Sequence, residues 1–146
     1  MPTPVRRKRP SLSGKDLSVM AWIEDIYGGV LFVKQAQGRK LWALPGGKVR
    51  RNESLAAALA REIHEETGLR ITHFIPVDFF DRYKKGSLTV LFRVRVRGRL
   101  GKLDPDIAEE ITDVVFKNQL PRNHTPSAGY FYQRIHRHPG LIPARA

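Results

Sequence analysis

The sequence predicts an α/β or α+β domain in which a mixed β-sheet is built around one central helix. Residues between 52 and 67 follow the helical spacing of apolar side chains, and strand-like segments lie on both sides of this stretch. A second helical pattern follows between 127 and 138. The length of 146 residues is enough for one domain with a real core, and it is too short for two.

Six segments are rich enough in aliphatic, β-branched and aromatic residues to be strands. They are 17–24, 29–35, 41–44, 71–81, 88–97 and 111–116. In the fifth segment, the apolar residues at even positions alternate with Arg93, Arg95 and Arg97, so the arginines share one face. We interpret that face as the solvent-exposed side of the sheet, and a phosphate or RNA track is the alternative.

The central helix is predicted to begin after Asn52, acting as N-cap, and to end at Gly68, which can adopt the left-handed conformation. Its predicted apolar stripe consists of Ala56, Leu59, Ala60, Ile63 and Thr67. This stripe would pack on the core of the domain.

Three glutamates form a neighbouring stripe of the same helix: Glu62, Glu65 and Glu66. Carboxylates at this spacing repel one another, and we expect the nearby Arg61 and His64 to point elsewhere. A hard divalent cation would turn this repulsion into a binding site, because Mg²⁺ and Mn²⁺ take oxygen ligands and leave positions for substrate phosphates. A solvated acidic face is the alternative for three glutamates alone.

A longer pattern surrounds these glutamates. Gly47 is followed after five residues by Glu53, after seven more by Arg61-Glu62-Ile63, and then by Glu65-Glu66 and Gly68-Leu69. This spacing matches every fixed position of the Nudix box, so the chain resembles the Nudix hydrolase family of MutT-like proteins. The resemblance implies the Nudix fold, an α/β/α sandwich with a mixed β-sheet, and its diagnostic part is 45–69.

The resemblance also implies a chemistry. In this family the box holds divalent ions against a diphosphate, and a water attacks phosphorus to release two phosphate-bearing products. By position, Glu62, Glu65 and Glu66 are predicted as catalytic residues and metal ligands, with the Gly46 carbonyl as a fourth ligand. Glu62 is also predicted to take the proton from the attacking water. The implied cofactor is Mg²⁺ or Mn²⁺.

Four other positions of the box are predicted to be structural. Arg61 is expected to pair with Glu53 and fix the turn against the helix. Gly47 and Gly68 would allow the backbone turns at the two ends of the motif.

Two further site predictions lie outside the box. The resemblance suggests that an acid just before the strand 111–116 reaches the metal site, and Glu110 or Glu109 is the candidate. The segment 82–87 is a basic hairpin tip, in which Arg82 and Tyr83 are candidates for binding the substrate.

Composition limits the cellular setting and the partners. The net charge of +12 favours polyanionic ligands. Prolines at 2, 4 and 10, which flank a basic cluster at 6–9, predict a flexible arm over 1–16 ahead of a domain over 17–146. No run of 18 apolar residues and no secretory signal is present in the sequence, so we expect no membrane contact and a cytoplasmic location. The chain contains no cysteine, which excludes disulfides and thiolate chemistry.

The resemblance to the Nudix family, together with the glutamate stripe, implies a metal-dependent hydrolase that cleaves a phosphoanhydride bond in a small nucleotide. The substrate would be a nucleoside diphosphate linked to another group, such as an NTP or dNTP, a nucleotide sugar or a dinucleoside polyphosphate. An RNA 5′-end pyrophosphohydrolase and a non-catalytic nucleic-acid-binding protein are the alternatives. RNA is the second candidate partner, and a homodimer is a further expectation.

Overall fold

The computed structural model describes residues 15–101 and 110–142 of the chain. Within these residues the chain forms seven strands and two α-helices. The predicted arm, except for Lys15 and Asp16, and the candidate Glu109 lie outside the described residues.

All six predicted strands are present, together with one that the sequence did not indicate. The strands are β1 (Asp16–Trp22), β2 (Val30–Gln35), β3 (Trp42–Ala43), β4 (Gly46–Lys48), β5 (Arg70–Arg82), β6 (Ser87–Arg97) and β7 (Ile111–Lys117). The helices are α1 (Leu55–Thr67) and α2 (Pro126–Arg137). The glycine turn predicted at the start of the motif is instead the strand β4, which pairs antiparallel with β1.

The strands form two sheets. One has the order β4-β1-β6-β5 and the other the order β3-β2-β7. The β1 and β6 strands run parallel, whereas the other pairs are antiparallel. The expectation of a mixed β-sheet is therefore confirmed.

The two helices cover opposite sides of the strands. In β1, Val19 and Ala21 belong to the buried cluster that packs on α1, whereas Trp22 belongs to the cluster that packs on α2. The first cluster receives Leu59 and Ile63 from α1. The second receives its helical side chains, Ala128, Phe131 and Ile135, from α2. This arrangement is the α/β/α sandwich that the resemblance implied.

The start of α1 differs from the prediction. Ser54 is the N-cap, and its hydroxyl accepts a hydrogen bond of 3.0 Å from the Ala57 N–H. Asn52 lies in the preceding turn with a φ of 63°, so the predicted cap was wrong by two residues. Gly68 ends the helix in the left-handed conformation with a φ of 75°, as predicted.

The buried face of α1 is also rotated from the predicted stripe. Leu59, Ile63 and Thr67 are buried as expected, but Ala56 and Ala60 are exposed. Ala58 and Glu66 are buried in their place. The helical periodicity placed Glu66 on an outward-facing stripe. Periodicity does not show the Gly46 N–H, which donates a hydrogen bond to the buried Glu66 carboxylate.

The close approach of β4 to β1 depends on Gly46. Its φ is 151°, and a methyl group on its Cα would overlap the Val19 carbonyl oxygen and lie 2.8 Å from the Met20 Cα. Both of these are backbone atoms of a central strand, so a small side-chain movement could not relieve the overlap.

We therefore expect Gly46→Ala to lower the free energy of unfolding by roughly 3 kcal/mol or more, through backbone strain and overpacking together. Gly28→Ala is the matched control, because Gly28 also has a positive φ, 81°, but no atom lies within 4 Å of its added methyl group. The control should lose only about 1–2 kcal/mol. Urea unfolding of both variants measures the difference, and equal losses would contradict the steric argument.

Candidate active site

The acidic side of α1 and the backbone of β4 enclose a cleft of about 520 Å³. We call it the acidic cleft. Its lining includes three glutamates, two glycines and two basic residues: Glu62, Glu66, Glu110, Gly46, Gly47, Lys48 and Arg82. The structure thus brings together residues that are far apart in the chain, since Met20, Gly46 and Ser127 all lie in its wall.

Glu66 is the most buried charged residue of the cleft, with an exposed fraction of 6%. Its Oε1 accepts a hydrogen bond of 2.8 Å from the Gly46 N–H, which ties α1 to β4. Burial raises the pKa of Glu66 well above its usual range, and this single backbone hydrogen bond offsets the effect only in part. The Glu62 and Glu110 carboxylates raise the pKa of Glu66 further.

Glu62 is half-buried beside Gly47. A methyl group at Gly47 would lie 2.5 Å from the Glu62 Oε1, so any side chain there would displace the carboxylate from its present position. Burial raises the pKa of Glu62, while the Arg61 guanidinium acts in the opposite direction. A carboxyl group with a raised pKa can exchange protons closer to neutral pH than an ordinary glutamate.

The predicted pair between Arg61 and Glu53 is present. Arg61 donates from Nε and Nη2 to the two oxygens of Glu53, each at 2.8 Å, and Nη2 also donates to the Lys48 carbonyl at 3.2 Å. This fork geometry is the strong form of a guanidinium–carboxylate contact. Hydrogen bonds from Arg61 and from the Arg50 N–H lower the pKa of Glu53 to about 2.

The expectation that Arg61 points away from the glutamate stripe is wrong. Its Nη1 donates to the Glu62 Oε1 at 2.8 Å and contacts the Glu65 Oε2 at 3.4 Å. One guanidinium therefore compensates three carboxylates of the motif. Glu62 and Glu65 follow Arg61 on the helix at i+1 and i+4. The sequence alone did not show that the Arg61 side chain bends toward their carboxylates.

The donor atoms around the cleft fit a divalent metal in their chemistry. Glu62, Glu66 and Glu110 line one cleft, and Mg²⁺ and Mn²⁺ prefer hard ligands such as carboxylate oxygens. In residues 15–101 and 110–142, however, no three acidic or histidine side chains converge closely enough to form a ready metal site. Glu65 is bound to Arg61 and is absent from the described lining of the acidic cleft.

The two predicted substrate contacts separate in the structure. Arg82 lines the acidic cleft at the end of β5. Tyr83, the next residue, begins a 3-10 turn and is 68% exposed, and it is not part of the described cleft lining. The turn directs consecutive side chains apart, so the sequence neighbours do not share one site.

Sequence analysis missed several residues of the cleft. Lys48 follows the two glycines on β4, and its position beside the motif could have indicated it. Gln35, Thr125 and Ser127 also line the cleft, from β2 and from the beginning of α2. No local signal marks these three residues. The pairing of strands brings Gln35 close to the motif, and the packing of α2 against the strands brings Thr125 and Ser127 there.

The fold and the cleft define a class of protein: an α/β/α sandwich that presents carboxylates of one helix beside a glycine-containing strand. The sequence pattern of the NUDIX domain matches residues 14–135, which is more than half of the chain, and the chain therefore belongs to the Nudix family.

Known proteins resemble the chain over different extents. An 8-oxo-dGTP diphosphatase from Buchnera aphidicola subsp. Schizaphis graminum is 38% identical over 77 residues, which cover 48% of this chain and 58% of that relative. The match thus spans less than two thirds of the relative's length. In structure, the MutT NUDIX hydrolase from Burkholderia pseudomallei has a TM-score of 0.72 at 20% identity, covering 83% of this chain and 98% of that one.

A third similar protein is larger. It is a bifunctional NMN adenylyltransferase/ADP ribose pyrophosphatase from Francisella tularensis, complexed with AMP and Mn ion, with a TM-score of 0.60 at 17% identity. The match covers 85% of this chain and 42% of that chain. At these identities the structural likenesses establish the fold alone. Neither α1 nor α2, the helices of the described residues, is long and apolar enough to cross a membrane.

The Arg61–Glu53 pair predicts a defined dependence of stability on pH. The folded-state pKa of Glu53 is lowered from 4.5 to about 2, so its stabilisation is fully present above 4.5 and is lost as the pH falls toward 2. Glu53→Gln should therefore be less stable than the wild type at pH 7, and the gap should close between about pH 4.5 and 2. Thermal unfolding followed by circular dichroism across this range measures the gap.

The control is the same substitution in an Arg61→Met background. There Glu53→Gln should have a smaller effect that depends less on pH, because Arg61 is gone and only the Arg50 N–H still favours the carboxylate. A gap that stays constant from pH 7 to pH 2 in the wild-type background would contradict the assignment.

Proposed function

We propose that this protein is a divalent-metal-dependent hydrolase that cleaves a phosphoanhydride bond in a nucleoside diphosphate linked to another group. The observation that supports this most is the acidic cleft, in which Glu62, Glu66 and Glu110 share one space with the basic residues Lys48 and Arg82. A site with both charges can hold cations and phosphates together, whereas a simple polyanion-binding site would not bury carboxylates.

In the proposed reaction, a water oxygen attacks phosphorus and forms a new P–O bond while the anhydride P–O bond breaks. The leaving phosphate takes the electron pair of the broken bond. Glu62 accepts the proton that the water loses and passes it to solvent. Its half-burial supports this role, because the resulting rise in pKa improves the match between base and operating pH.

The other residues would bind and orient the substrate. Lys48 and Arg82 supply positive charge for the non-reacting phosphate oxygens from two sides of the cleft. Glu62, Glu65 and Glu66, with the Gly46 carbonyl and Glu110, are proposed to hold Mg²⁺ or Mn²⁺. When bound, such an ion neutralises charge on a diphosphate and lowers the pKa of a bound water. Glu65 would have to turn from Arg61 to take part.

The substrate is proposed from the relatives and from the cleft size. A curated relative named as an 8-oxo-dGTP diphosphatase favours a nucleoside triphosphate as the first class to test. A structural neighbour named as an ADP ribose pyrophosphatase makes nucleotide sugars the second class. A volume of about 520 Å³ is within the range of sites for small ligands, so a nucleotide can enter. The RNA 5′-end reaction, a homodimer and a cytoplasmic location stay predictions.

The decisive assay measures phosphate and pyrophosphate release from a panel, with Mg²⁺, with Mn²⁺ and with EDTA. The panel contains NTPs, dNTPs including oxidised purines, nucleotide sugars, ADP-ribose, dinucleoside polyphosphates and 5′-triphosphate RNA. We expect metal-dependent turnover of one class and none in EDTA. Folded protein with no turnover of any member would favour the non-catalytic alternative.

With the best substrate, Glu62→Gln, Glu65→Gln and Glu66→Gln should each lower kcat by at least about a hundredfold. His64→Gln is the matched control, since His64 is exposed on the same helix and should keep wild-type turnover. Circular dichroism confirms that each variant is folded. Wild-type turnover in Glu65→Gln would exclude that residue, and wild-type turnover in Glu62→Gln would exclude the proposed base.

Metal binding has a readout that does not need a substrate. Mn²⁺ at a concentration of about 100 Kd should stabilise the wild type by about 2.7 kcal/mol and raise its Tm. Glu66→Gln should keep the acceptor for the Gly46 N–H and remove a buried charge, so in EDTA it should be at least as stable as the wild type. Its Tm should respond much less to Mn²⁺, while that of His64→Gln should respond fully. An equal response in all three proteins would contradict the assigned ligands.

A further inference from the structure

A basic surface lies on the side of β5 and β6 that faces away from the α1 core. Arg93, Arg95 and Arg97 alternate along β6 with residues of the buried clusters, so neighbouring arginines are about 6.8 Å apart along the strand. The register places Arg70 opposite Arg97 and His73 opposite Arg95 on β5. We call these five residues the arginine face.

The arginine face is electrostatically unfavourable by itself. Like charges directly opposite each other in an antiparallel pair are destabilising, and Arg70 and Arg97 occupy such a pair of positions. In residues 15–101 and 110–142, no ion pair connects any of its four arginines to an acidic side chain. A polyanionic ligand would relieve this repulsion.

The arginine face borders a second cleft, of about 630 Å³. Its lining includes Thr72, His73, Arg93, Arg95 and Ile26. In the described part of the chain it shares no lining residue with the acidic cleft. The nucleotide site proposed above therefore does not use these arginines.

Two acidic residues also line this cleft, and both are engaged in its local structure. Glu24 accepts a hydrogen bond of 2.8 Å from the Trp22 indole N–H. Asp25 accepts hydrogen bonds from the Tyr27 and Gly29 N–H groups at 2.9 and 2.8 Å, which shape the turn between β1 and β2. This turn displays Tyr27 with 84% of its surface exposed, directly after the cleft residue Ile26.

We propose that the arginine face binds a single-stranded nucleic acid through its phosphates, and that one base stacks on the exposed ring of Tyr27, on the turn whose residues Asp25 and Ile26 line the adjoining cleft. A row of arginines with strand spacing fits a repeated phosphate backbone better than it fits one isolated phosphate. An exposed aromatic ring beside basic residues is the feature that single-strand binders use, because a base must be unpaired to stack on it. The net charge of +12 supports the same polyanionic partner.

The test measures the binding of a fluorescently labelled single-stranded RNA to the full chain by fluorescence anisotropy. The RNA carries a 5′-hydroxyl and the buffer contains EDTA, so neither a terminal diphosphate nor a metal ion can contribute. We expect binding that weakens steeply as salt rises. The triple variant Arg93→Gln, Arg95→Gln, Arg97→Gln should weaken binding at least about tenfold and reduce the salt slope by about 2.

The matched control is Arg39→Gln, Lys84→Gln, Lys85→Gln, which removes the same charge from three exposed positions of other turns. It should keep most of the affinity and the salt slope. Tyr27→Ala should weaken binding roughly fivefold or more without changing that slope. A triple Arg→Lys variant should retain the slope, which separates lost charge from lost folding.

Three results would overturn the proposal. The wild type could fail to bind at low salt, the two triple variants could lose affinity equally, or a duplex of the same sequence could bind as tightly as the single strand. None of these results bears on the proposed hydrolase, because the assay contains no metal ion and no phosphoanhydride bond. Single-stranded DNA in a parallel titration shows whether the sugar matters.

Discussion

The hydrogen bond from the Gly46 N–H to the buried Glu66 carboxylate is the contact on which the acidic cleft depends. It joins a strand to the motif helix, and it gives a partner to a carboxylate that burial would otherwise leave unsatisfied. The bond requires β4 to lie tightly against β1, which the missing side chain of Gly46 permits. Gly47 has a different effect, because its missing side chain leaves room for the Glu62 carboxylate beside β4.

Charge in this region is compensated unequally. Arg61 contacts Glu53, Glu62 and Glu65, while Glu66 has the Gly46 backbone donor. The raised pKa values of Glu62 and Glu66 show that burial disfavours their charged forms. Such residues lower the stability of the folded protein, and their retention in a cleft is typical of sites selected for chemistry. If a cation bound to Glu62 or Glu65, the same carboxylate would interact with both the cation and Arg61. The ion pair with Glu53 holds Arg61 in position.

The glutamates of the motif helix and the arginines of β6 lie at two different clefts. The carboxylates of the cleft lie between α1 and β4, whereas Arg93, Arg95 and Arg97 lie on β6 and line or adjoin a different cleft. Because β6 is central in its sheet, its apolar side chains hold the core on the α1 side while its arginines remain on the other. The alternation of one strand thus stabilises the fold and creates a basic surface at the same time.

The amino-acid sequence was enough to predict the six main strands, both helices, a mixed β-sheet and the helix end at Gly68, because each follows from local periodicity or from the backbone freedom of glycine. The α/β/α sandwich and the pairing of Arg61 with Glu53 were implied by the resemblance to the Nudix family. Tertiary contacts were needed to show that β4 is a strand, that Glu66 rather than Ala60 is buried, that Arg82 enters the cleft without Tyr83, and that Thr125 and Ser127 complete its wall. These outcomes depend on contacts between segments that are far apart in the chain. Local sequence does not show that the Gly46 N–H will bind Glu66, or that the start of α2 will pack beside the motif, because both contacts form only on folding.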